Sequence, residues 1–351
     1  MLPKSEIPIL QGPMLGASTP DMVVAASLAG GIGSLGAAGY APGALTEAIT
    51  GIRQRVGGKP FLINLFVLEP ARPDAAALAN AMRQLAPWRA ELGLAEQAIP
   101  NKWAEDFAAQ FDVLVETAPP IASFTFGILS AEQCARLKAR GIAVVGTATT
   151  VAEARAWAEI GADAICASGF ESGGHRGTFL KPVEESLVGV VSLVPAIRAA
   201  TGLPVIAAGG IMEGRSIAAM LQLGAEAVQM GTAFLLAEES AISAPWRAEL
   251  KGKDADATRL TRAFSGRYAR GLENRFLREM ADKEIPPYPI QNALTQELRA
   301  ASARAGRSEM LSLWAGQGVH AIREGRTTDL VRIFWDEARA AMRDTLARFD
   351  P

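Results

Sequence analysis

Residues 165–179 read Ile-Cys-Ala-Ser-Gly-Phe-Glu-Ser-Gly-Gly-His-Arg-Gly-Thr-Phe, a short apolar run followed at once by glycines and charged side chains. His175 is one of only two histidines in the chain, and it follows Gly173 and Gly174. Glycine lets a main chain approach a ligand closely, and an imidazole can titrate near neutral pH. The pattern therefore predicts a strand whose carboxyl end carries a site, which in a (β/α)8 barrel is the catalytic end. The alternative is a surface loop with an incidental histidine.

The rest of the chain alternates short apolar runs with amphipathic segments, a pattern typical of a parallel α/β fold. Eight strands are predicted, at 7–11, 33–37, 61–66, 122–126, 143–146, 164–167, 204–208 and 227–230. Helices are predicted near 20–29, 44–55, 104–117, 131–140, 151–160, 186–200 and 214–223. Eight strand–helix units over about 240 residues match a (β/α)8 TIM barrel, and a doubly wound sheet is the alternative.

The helix predicted near 186–200 has the clearest apolar stripe. Its apolar residues recur at helical spacing, namely Leu187, Val190, Val191, Val194 and Ile197. Glycine is common just after the last residue of a helix. The glycines at positions 141, 161, 202 and 224 are therefore predicted to end four of the helices.

Composition and charge exclude several classes of protein. The chain has 351 residues, of which 49% are hydrophobic, and a net charge of −2 that gives no reason to expect nucleic acid or an anionic membrane as partner. Its two cysteines, Cys134 and Cys166, fit no metal-binding spacing, so we expect a reduced compartment and no structural metal. The sequence shows neither a signal peptide nor a membrane-spanning stretch. A soluble, cytoplasmic protein is expected, as a monomer or a homodimer.

Two segments are additional to a bare barrel. Residues 69–103 lie between the third strand and its helix, and residues 241–312 follow the eighth strand. Both follow the carboxyl ends of strands, so they predict a smaller, mostly helical lid domain over the barrel mouth. The expected FMN-binding barrel then comprises 1–68, 104–240 and 313–351. A final helix at 327–347 is predicted to pack back on the barrel through Leu330, Ile333 and Phe334.

A G-x-G-x-x-G match occurs at Gly31, Gly33 and Gly36. The dinucleotide fingerprint of this form requires a strand before it and a helix after it. Here a predicted helix precedes the glycines and a predicted strand follows them. We therefore expect a tight turn at the bottom of the barrel in place of a dinucleotide site.

Glycine-rich loops follow the seventh and eighth predicted strands. The first contains Gly209 and Gly210, and the second contains Gly231. Loops at these two positions form the usual phosphate site of phosphate-using barrels, where main-chain N–H groups point at the anion. Each loop considered alone has a simpler explanation, because glycine also occurs where a strand ends for purely structural reasons. A phosphorylated cofactor without metal ligands nearby suggests FMN.

Seven stretches together resemble the nitronate monooxygenase family, once called 2-nitropropane dioxygenases. They are residues 11–14, 63–66, 146–149, 169–179, 207–210, 229–232 and 313–317, and they follow one another in the family's order. The segment 171–179 and the Trp-Ala-Gly-Gln run at 314–317 are the more specific pieces. The Ala-Ala-Gly-Gly and Gln-Met-Gly-Thr stretches recur in related flavin barrels.

The resemblance implies an FMN cofactor and names its contacts. The phosphate would lie on Gly210 and on Gln229, Met230, Gly231 and Thr232, with Gly209 in the same loop. The flavin ring would lie against Met14, Asn64, Gly173 and Gln317, with His175 at the substrate. Many members have glutamine where this chain has Ser168, so the flavin contact there would be shorter or bridged by water.

The activity implied is the oxidation of small-molecule alkyl nitronates with O2 to carbonyl compounds and nitrite, a detoxifying reaction. A nitronate is already a carbanion equivalent, so no proton need be removed first. His175 would donate a hydrogen bond to the nitro oxygens, or act as the base on neutral nitroalkanes. The alternatives are an NAD(P)H-dependent flavin reductase, acting on quinones or enoyl-ACP, and a non-catalytic FMN-binding protein.

Four further side chains complete the expectations from sequence. Arg176 is predicted to pair with a loop carboxylate such as Glu171 in preference to facing the substrate. Cys166 is expected in the core, and His320 on a helix surface. Tyr288, in the proline-rich part of the lid, is expected near the barrel mouth.

Overall fold

A computed structural model describes residues 3–349, so positions 1–2 and 350–351 of the expected barrel domain lie outside the described residues. The strands are β1 Ile9–Gln11, β2 Gly33–Gly36, β3 Phe61–Phe66, β4 Ile121–Thr125, β5 Ala143–Ala148, β6 Ala164–Ser168, β7 Gly174–His175, β8 Val205–Ala208, β9 Ala227–Met230, β10 Thr258–Thr261 and β11 Ala269–Leu272. The helices are α1 Pro20–Leu28, α2 Pro42–Arg55, α3 Ala75–Glu91, α4 Phe107–Thr117, α5 Ala131–Ala139, α6 Val151–Glu159, α7 Val190–Thr201, α8 Gly214–Gln222, α9 Ala244–Leu250, α10 Arg275–Glu279, α11 Ile290–Arg304 and α12 Thr327–Phe349.

Eight parallel strands form a barrel in the order β1-β9-β8-β6-β5-β4-β3-β2. The sheet closes between its two ends, because the Gln11 amide donates to the Ile32 carbonyl at 2.9 Å and the Ile32 amide donates to the Ile9 carbonyl at 3.0 Å. The predicted (β/α)8 TIM barrel is therefore confirmed, and the doubly wound alternative is wrong because its sheet would remain open. All eight predicted strands are present, with ends within two residues of the expected positions.

Alternation along each strand separates two apolar layers. In β3, Leu62 belongs to the cluster inside the barrel, whereas Ile63 belongs to the cluster between barrel and helices. In β6, Cys166 and Ile165 are divided in the same way, so Cys166 is the core residue that was expected. Successive side chains of a strand point to opposite faces, so every second residue points into the barrel. At the carboxyl ends of the strands this interior opens at the barrel mouth, and inward-pointing polar residues there face the mouth.

The predicted glycine roles are borne out at the bottom of the barrel. Gly33 begins β2, and a Cβ there would lie 2.0 Å from the Val23 carbonyl oxygen, so glycine lets α1 lie directly on the strand. A helix precedes this motif and a strand follows it, which is the reverse of a dinucleotide site. The four glycines expected after helices all have positive φ, as helix ends require: 75° at Gly141, 87° at Gly161, 66° at Gly202 and 96° at Gly224.

The stripe predicted for the helix near 186–200 is wrong in part. Helix α7 begins only at Val190, and Leu187 and Val191 are 42% and 57% exposed. The Glu171 carboxylate accepts the Val190 amide at 3.1 Å, and a carboxylate at this point stabilises the first turn of a helix. The buried face carries Leu193 in place of the two exposed residues, together with Val190, Val194 and Ile197.

Helix α12 packs back on the barrel as expected. Its Glu337 carboxylate accepts the Gly214 amide of α8 at 3.2 Å, and a Cβ at Gly214 would lie 2.3 Å from the Ala338 amide nitrogen. Leu330 and Phe334 are buried, but Ile333 is 44% exposed, so its predicted packing role is wrong. Val331, one turn from Phe334 on the other flank, is buried instead.

The two additional segments pack on each other. An apolar cluster joins α3 of segment 69–103 to α10 and α11 of segment 241–312, through residues that include Leu85, Phe276 and Leu294. Segment 241–312 is not only helical, since β10 and β11 form an antiparallel hairpin with β7 as the third strand. The hairpin was missed because its strands, Thr-Arg-Leu-Thr and Ala-Arg-Gly-Leu, are only four residues long and give little apolar signal.

Within residues 3–349, no helix is long and apolar enough to cross a membrane. The same range holds no group of three or more His, Cys, Asp or Glu side chains that could bind a metal ion. Both cysteines are buried and free.

Candidate active site

A cavity of about 780 Å³ opens at the carboxyl end of the barrel strands. Ten of the residues predicted for the site line it: Met14, Asn64, Ser168, Gly173, His175, Gly209, Gly210, Gln229, Gly231 and Thr232. Met230 and Gln317 do not line it. Met230 is buried in the barrel wall, where its carbonyl accepts the Gly12 amide at 2.8 Å, and the Gln317 amide donates to the Glu171 carbonyl at 3.0 Å.

The loop after β8 offers free main-chain donors to the cavity. Gly209 and Gly210 have φ of +120° and +69°, a backbone that favours glycine. In the described part of the chain, the amides of Gly209, Gly210 and Ile211 donate no hydrogen bond to protein, nor do those of Gly231 and Thr232 in the loop after β9. Consecutive unpaired N–H groups in such a turn form an anion-binding concavity. This cradle fits the phosphate of a nucleotide cofactor.

Three loops meet beside this cradle through their main chains. A Cβ at Gly173 would lie 2.5 Å from the Gly316 amide nitrogen, and one at Gly316 would lie 2.8 Å from the Glu171 carbonyl oxygen. The Gly316 amide donates to the Thr232 hydroxyl at 2.9 Å. The Trp-Ala-Gly-Gln run thus fixes the loop that carries His175 and the loop after β9 relative to each other.

A polar layer on β3, β4 and β5 forms part of the cavity wall. The Asn64 amide donates to the Ser123 hydroxyl at 2.9 Å and to the Thr125 hydroxyl at 3.2 Å, and Thr125 lies 3.2 Å from the Thr147 hydroxyl. Of these, only Asn64 was predicted as a site residue. The available signal was the occurrence of a polar side chain at the carboxyl end of each predicted strand, which in this fold faces the mouth.

His175 lies on a strand that pairs with the added segment. In the sheet β10-β11-β7, His175 is opposite Ala269, and the next amide, of Arg176, donates to the Tyr268 carbonyl at 2.8 Å. Four aromatic rings surround the imidazole, at centroid distances of 6.2 Å for Phe66, 5.3 Å for Phe126, 5.7 Å for Tyr288 and 5.5 Å for Trp314. The imidazole therefore faces the cavity from within an aromatic enclosure.

This enclosure keeps His175 neutral. Burial, together with the positive charges of Arg267 and Arg299, lowers the pKa of His175 to about 3. The expectation of titration near neutral pH is therefore wrong. The Nε2 atom lies 2.9 Å from the Ser265 hydroxyl, and Nδ1 has no protein partner among the described residues.

Tyr288 of the added segment and Phe126, which follows barrel strand β4, contact each other in the cavity wall, with ring centroids 5.2 Å apart. Burial raises the pKa of Tyr288 to about 12, so its phenol remains protonated, and within residues 3–349 its hydroxyl has no hydrogen-bond partner. Phe126 follows β4 with φ of +80°, an unusual backbone for a bulky residue. The Arg267 guanidinium lies 4.2 Å from the Phe126 ring centroid, on the side away from the cavity lining. Backbone strain of the kind that Phe126 shows is found at functional sites more often than elsewhere.

The predicted pair between Arg176 and Glu171 is wrong. Arg176 is fully buried beneath the loop and donates to the carbonyls of Gly169 at 2.6 Å, and of Ser168 and Ser186 at 3.2 Å. Glu171 instead accepts the first amide of α7. The loop folds over Arg176, so its guanidinium reaches main-chain oxygens before any carboxylate. Arg176 therefore holds the loop and does not face the substrate.

Glu153 is a buried carboxylate that sequence reasoning missed. One oxygen accepts the Thr149 amide and hydroxyl, both at 2.7 Å. The other accepts the Thr178 hydroxyl at 2.9 Å and the amides of Phe179 at 2.6 Å and Leu180 at 3.2 Å. The three bonds from residues 178–180 tie α6 to the chain that leaves His175, and the two from Thr149 hold the carboxylate at the start of the helix. Nothing in the sequence separates this glutamate from its exposed neighbours on α6.

A parallel barrel with unpaired glycine-loop amides and a partly buried histidine at the carboxyl ends of its strands is typical of a cofactor-binding (β/α)8 barrel enzyme. The family model for nitronate monooxygenase matches residues 2–334. A probable nitronate monooxygenase of Staphylococcus aureus (strain Newman) is 43% identical over 316 residues, which cover 89% of this chain and 88% of that protein. The chain therefore belongs to the nitronate monooxygenase family, whose members are generally flavin-dependent enzymes.

Solved structures agree with this assignment. The nitroalkane oxidase of Streptomyces ansochromogenes has a TM-score of 0.90 and 39% identity, covering 97% of this chain and 98% of that chain. FabK of Thermotoga maritima has a TM-score of 0.76 and 29% identity, covering 98% of this chain and 96% of that chain.

Proposed function

We propose that the protein binds one FMN and oxidises short alkyl nitronates with O2 to carbonyl compounds and nitrite, in the cytoplasm. The observation that carries the proposal is that the glycine cradle and the neutral His175 open into one cavity. The names of its relatives, probable nitronate monooxygenase and nitroalkane oxidase, support the same chemistry.

FMN fits the groups that this chain presents. The cradle at Gly209, Gly210 and Ile211 offers unpaired N–H donors to a phosphate, and the polar layer around Asn64 offers donors and acceptors to a heteroaromatic ring. The G-x-G-x-x-G match is a turn and strand, so it provides no site for an adenine half. When bound, FMN supplies the redox chemistry that converts a nitronate and O2 to a carbonyl compound and nitrite. The contacts of Met230 and Gln317 with the cofactor remain predictions.

His175 suits a substrate that is already an anion. A general base works best when its pKa lies near the working pH, and the pKa of His175 is about 3. Proton abstraction from a neutral nitroalkane is therefore disfavoured, whereas the neutral imidazole can still donate. The Ser265 hydroxyl has one proton, which it can give either to the Arg267 carbonyl at 3.0 Å or to His175 Nε2 at 2.9 Å. The second arrangement leaves an N–H on Nδ1 for a nitronate oxygen.

The aromatic enclosure excludes water from this reaction. Phe66, Phe126, Tyr288 and Trp314 surround the imidazole, so a substrate alkyl chain meets apolar walls. Exclusion of water strengthens each hydrogen bond to the nitronate and protects reactive species from side reactions. Small substrates are favoured for the same reason.

The test compares two electron donors under anaerobic conditions. The purified protein should carry one acid-releasable FMN per chain, and mixing with ethyl nitronate should bleach it faster than mixing with NADH. Admission of O2 should then yield nitrite and acetaldehyde. Rapid bleaching by NADH alone would establish the flavin reductase alternative. Bleaching by neither donor would establish a non-catalytic flavoprotein, and recovery of FAD would contradict the cofactor assignment.

A further inference from the structure

Two cationic side chains line the cavity in the described part of the chain, Lys102 and Arg299. Lys102 forms an ion pair with Glu105, which also lines the cavity. Arg299, on α11, has no carboxylate within ion-pair distance among residues 3–349, and all its hydrogen-bond acceptors are neutral. Among the described residues that line the cavity, Arg299 therefore carries the positive charge that no neighbouring carboxylate balances.

Neutral acceptors hold the Arg299 guanidinium in place, and the N–H groups on one of its edges have no close acceptor. Nε donates to the Thr295 carbonyl at 3.3 Å, and Nη2 donates to the carbonyl and the side-chain oxygen of Asn292, both at 2.9 Å. Nη1 has only a long contact, 3.5 Å, with the Ser312 hydroxyl. Because Ser312 also lines the cavity, this edge lies at the cavity wall.

A partly buried cation without a counterion is costly, so its retention needs a reason. Burial lowers the pKa of Arg299 to about 10, and the group is still protonated at neutral pH. Its charge acts on both His175 and Tyr288, which line the same cavity. Arg267, the other cation acting on these two groups, lies behind Phe126 and is not part of the cavity lining.

We propose that Arg299 is the anion-binding residue of the substrate half of the cavity. Its ligand is a planar group of two oxygens sharing one negative charge, the chemistry common to a nitronate and a carboxylate. Nη1 and the Tyr288 hydroxyl, both without a close protein partner, supply the donors. The identity of the ligand as a nitronate rests on the proposed function, but the anion site itself does not.

The experiment uses the flavin-loaded enzyme and an unreactive anion. Propionate is titrated into the holoenzyme while the visible flavin spectrum is followed, and propionamide serves as the neutral counterpart of the same shape. In Arg299→Gln the Kd for propionate should rise about 10- to 100-fold, as loss of a charge-assisted hydrogen bond predicts, while propionamide is unaffected. Arg299→Lys, which keeps the charge without the planar fork, should give an intermediate Kd and shows whether the site tolerates substitution.

Arg259→Gln is the matched control, because Arg259 is exposed on β10 and pairs with Glu273. It should leave both titrations unchanged. With ethyl nitronate as substrate, Arg299→Gln should raise KM more than it lowers kcat, since the charge contributes to binding of the anion before reaction.

Two results would overturn the proposal. Equal propionate affinity in wild type and Arg299→Gln would show that the charge binds no substrate anion. Loss of FMN from Arg299→Gln, with the remaining loaded fraction binding propionate normally, would assign the charge to the cofactor phosphate. A protein that oxidises no nitronate yet binds propionate through Arg299 would refute the proposed function and retain the anion site.

Discussion

The imidazole Nε2 of His175 lies 2.9 Å from the hydroxyl oxygen of Ser265, a residue 90 positions further along the chain. Ser265 lies in the turn between β10 and β11, and its hydroxyl oxygen also lies 3.0 Å from the Arg267 carbonyl, so its one proton can be given to either partner. The candidate catalytic group is therefore oriented by the added segment and not by the barrel. This segment does more than cover the mouth, because it fixes one imidazole nitrogen and leaves the other free.

We predict that His175→Ala retains FMN and loses most nitronate turnover. The cradle and the polar layer do not involve the imidazole, so cofactor binding should survive. Loss of a positioned donor or base typically costs about 10²- to 10⁴-fold in rate. Steady-state kcat/KM with ethyl nitronate measures the effect, with His320→Ala, at an exposed position, as control. Turnover within a few-fold of wild type would show that His175 is structural.

Ser265→Ala should lower kcat less than His175→Ala does. The imidazole would keep its aromatic enclosure but lose the partner that fixes its ring and its tautomer. A flavin spectrum unchanged from wild type together with a lower kcat would support this role. If Ser265→Ala matched wild type in kcat, the orientation would come from the aromatic rings alone.

Gly210→Asp should empty the cofactor site. It places a carboxylate where the free amides would bind phosphate, on a backbone with φ of +69°. Gly202→Asp is the matched control, because Gly202 has φ of +66° and a Cβ there would have no neighbour within 4 Å. Flavin content per chain should fall close to zero in the first variant only, with far-UV circular dichroism unchanged in both. Full flavin content in Gly210→Asp would place the phosphate elsewhere.

The neutral state of His175 predicts a pH-dependent stability. Its pKa is about 3 in the folded protein, against about 6.5 in the unfolded chain, so below pH 6.5 the unfolded state binds the extra proton. The contribution of the neutral His175 imidazole to the free energy of unfolding is complete above pH 6.5, and it declines as the pH falls toward 3. Between pH 7.5 and 5.5, the flavin-free wild type should lose about 1.4 kcal/mol more than His175→Gln. Urea unfolding at the two pH values measures this difference, and parallel losses in both proteins would contradict it.

Glu153→Gln should destabilise the protein and slow catalysis together. Its two oxygens accept five hydrogen bonds, and an amide nitrogen in place of either oxygen would face donors. The free energy of unfolding should fall by about 3 kcal/mol, as expected when buried donors lose a charged acceptor. Glu159→Gln, on the exposed face of α6, is the control. An unchanged urea midpoint for Glu153→Gln would show that the amide is accommodated.

The enclosed cavity predicts a preference for short nitronates. The aromatic walls and the packed segments 69–103 and 241–312 leave about 780 Å³, which the cofactor would share with the substrate. Across a series of nitronates, kcat/KM should fall from short aliphatic to bulky aromatic members. Equal rates across the series would mean that the mouth is open and that these segments do not enclose the substrate.

The sequence by itself determined the barrel and the glycine loops at its carboxyl end. Periodicity located all eight strands, and the carboxyl ends of parallel strands meet at one face, so glycines and polar residues at those ends could be assigned to one site. Gly209, Gly210 and Gly231 were found in this way, whereas Asn64 and Ser168 were assigned through the family resemblance. The reason is local: strand alternation and helix-ending glycines depend on near neighbours in the chain.

Tertiary structure decided the properties that depend on distant residues. The low pKa of His175, its bond to Ser265 and the uncompensated charge of Arg299 all arise where the added segment meets the barrel. The partner of Arg176 was mispredicted for the same reason, since the choice between Glu171 and main-chain oxygens depends on how the loop folds. Local pattern carries no information on which charges become neighbours after folding or how much water remains between them. Those two quantities set the electrostatics of the site.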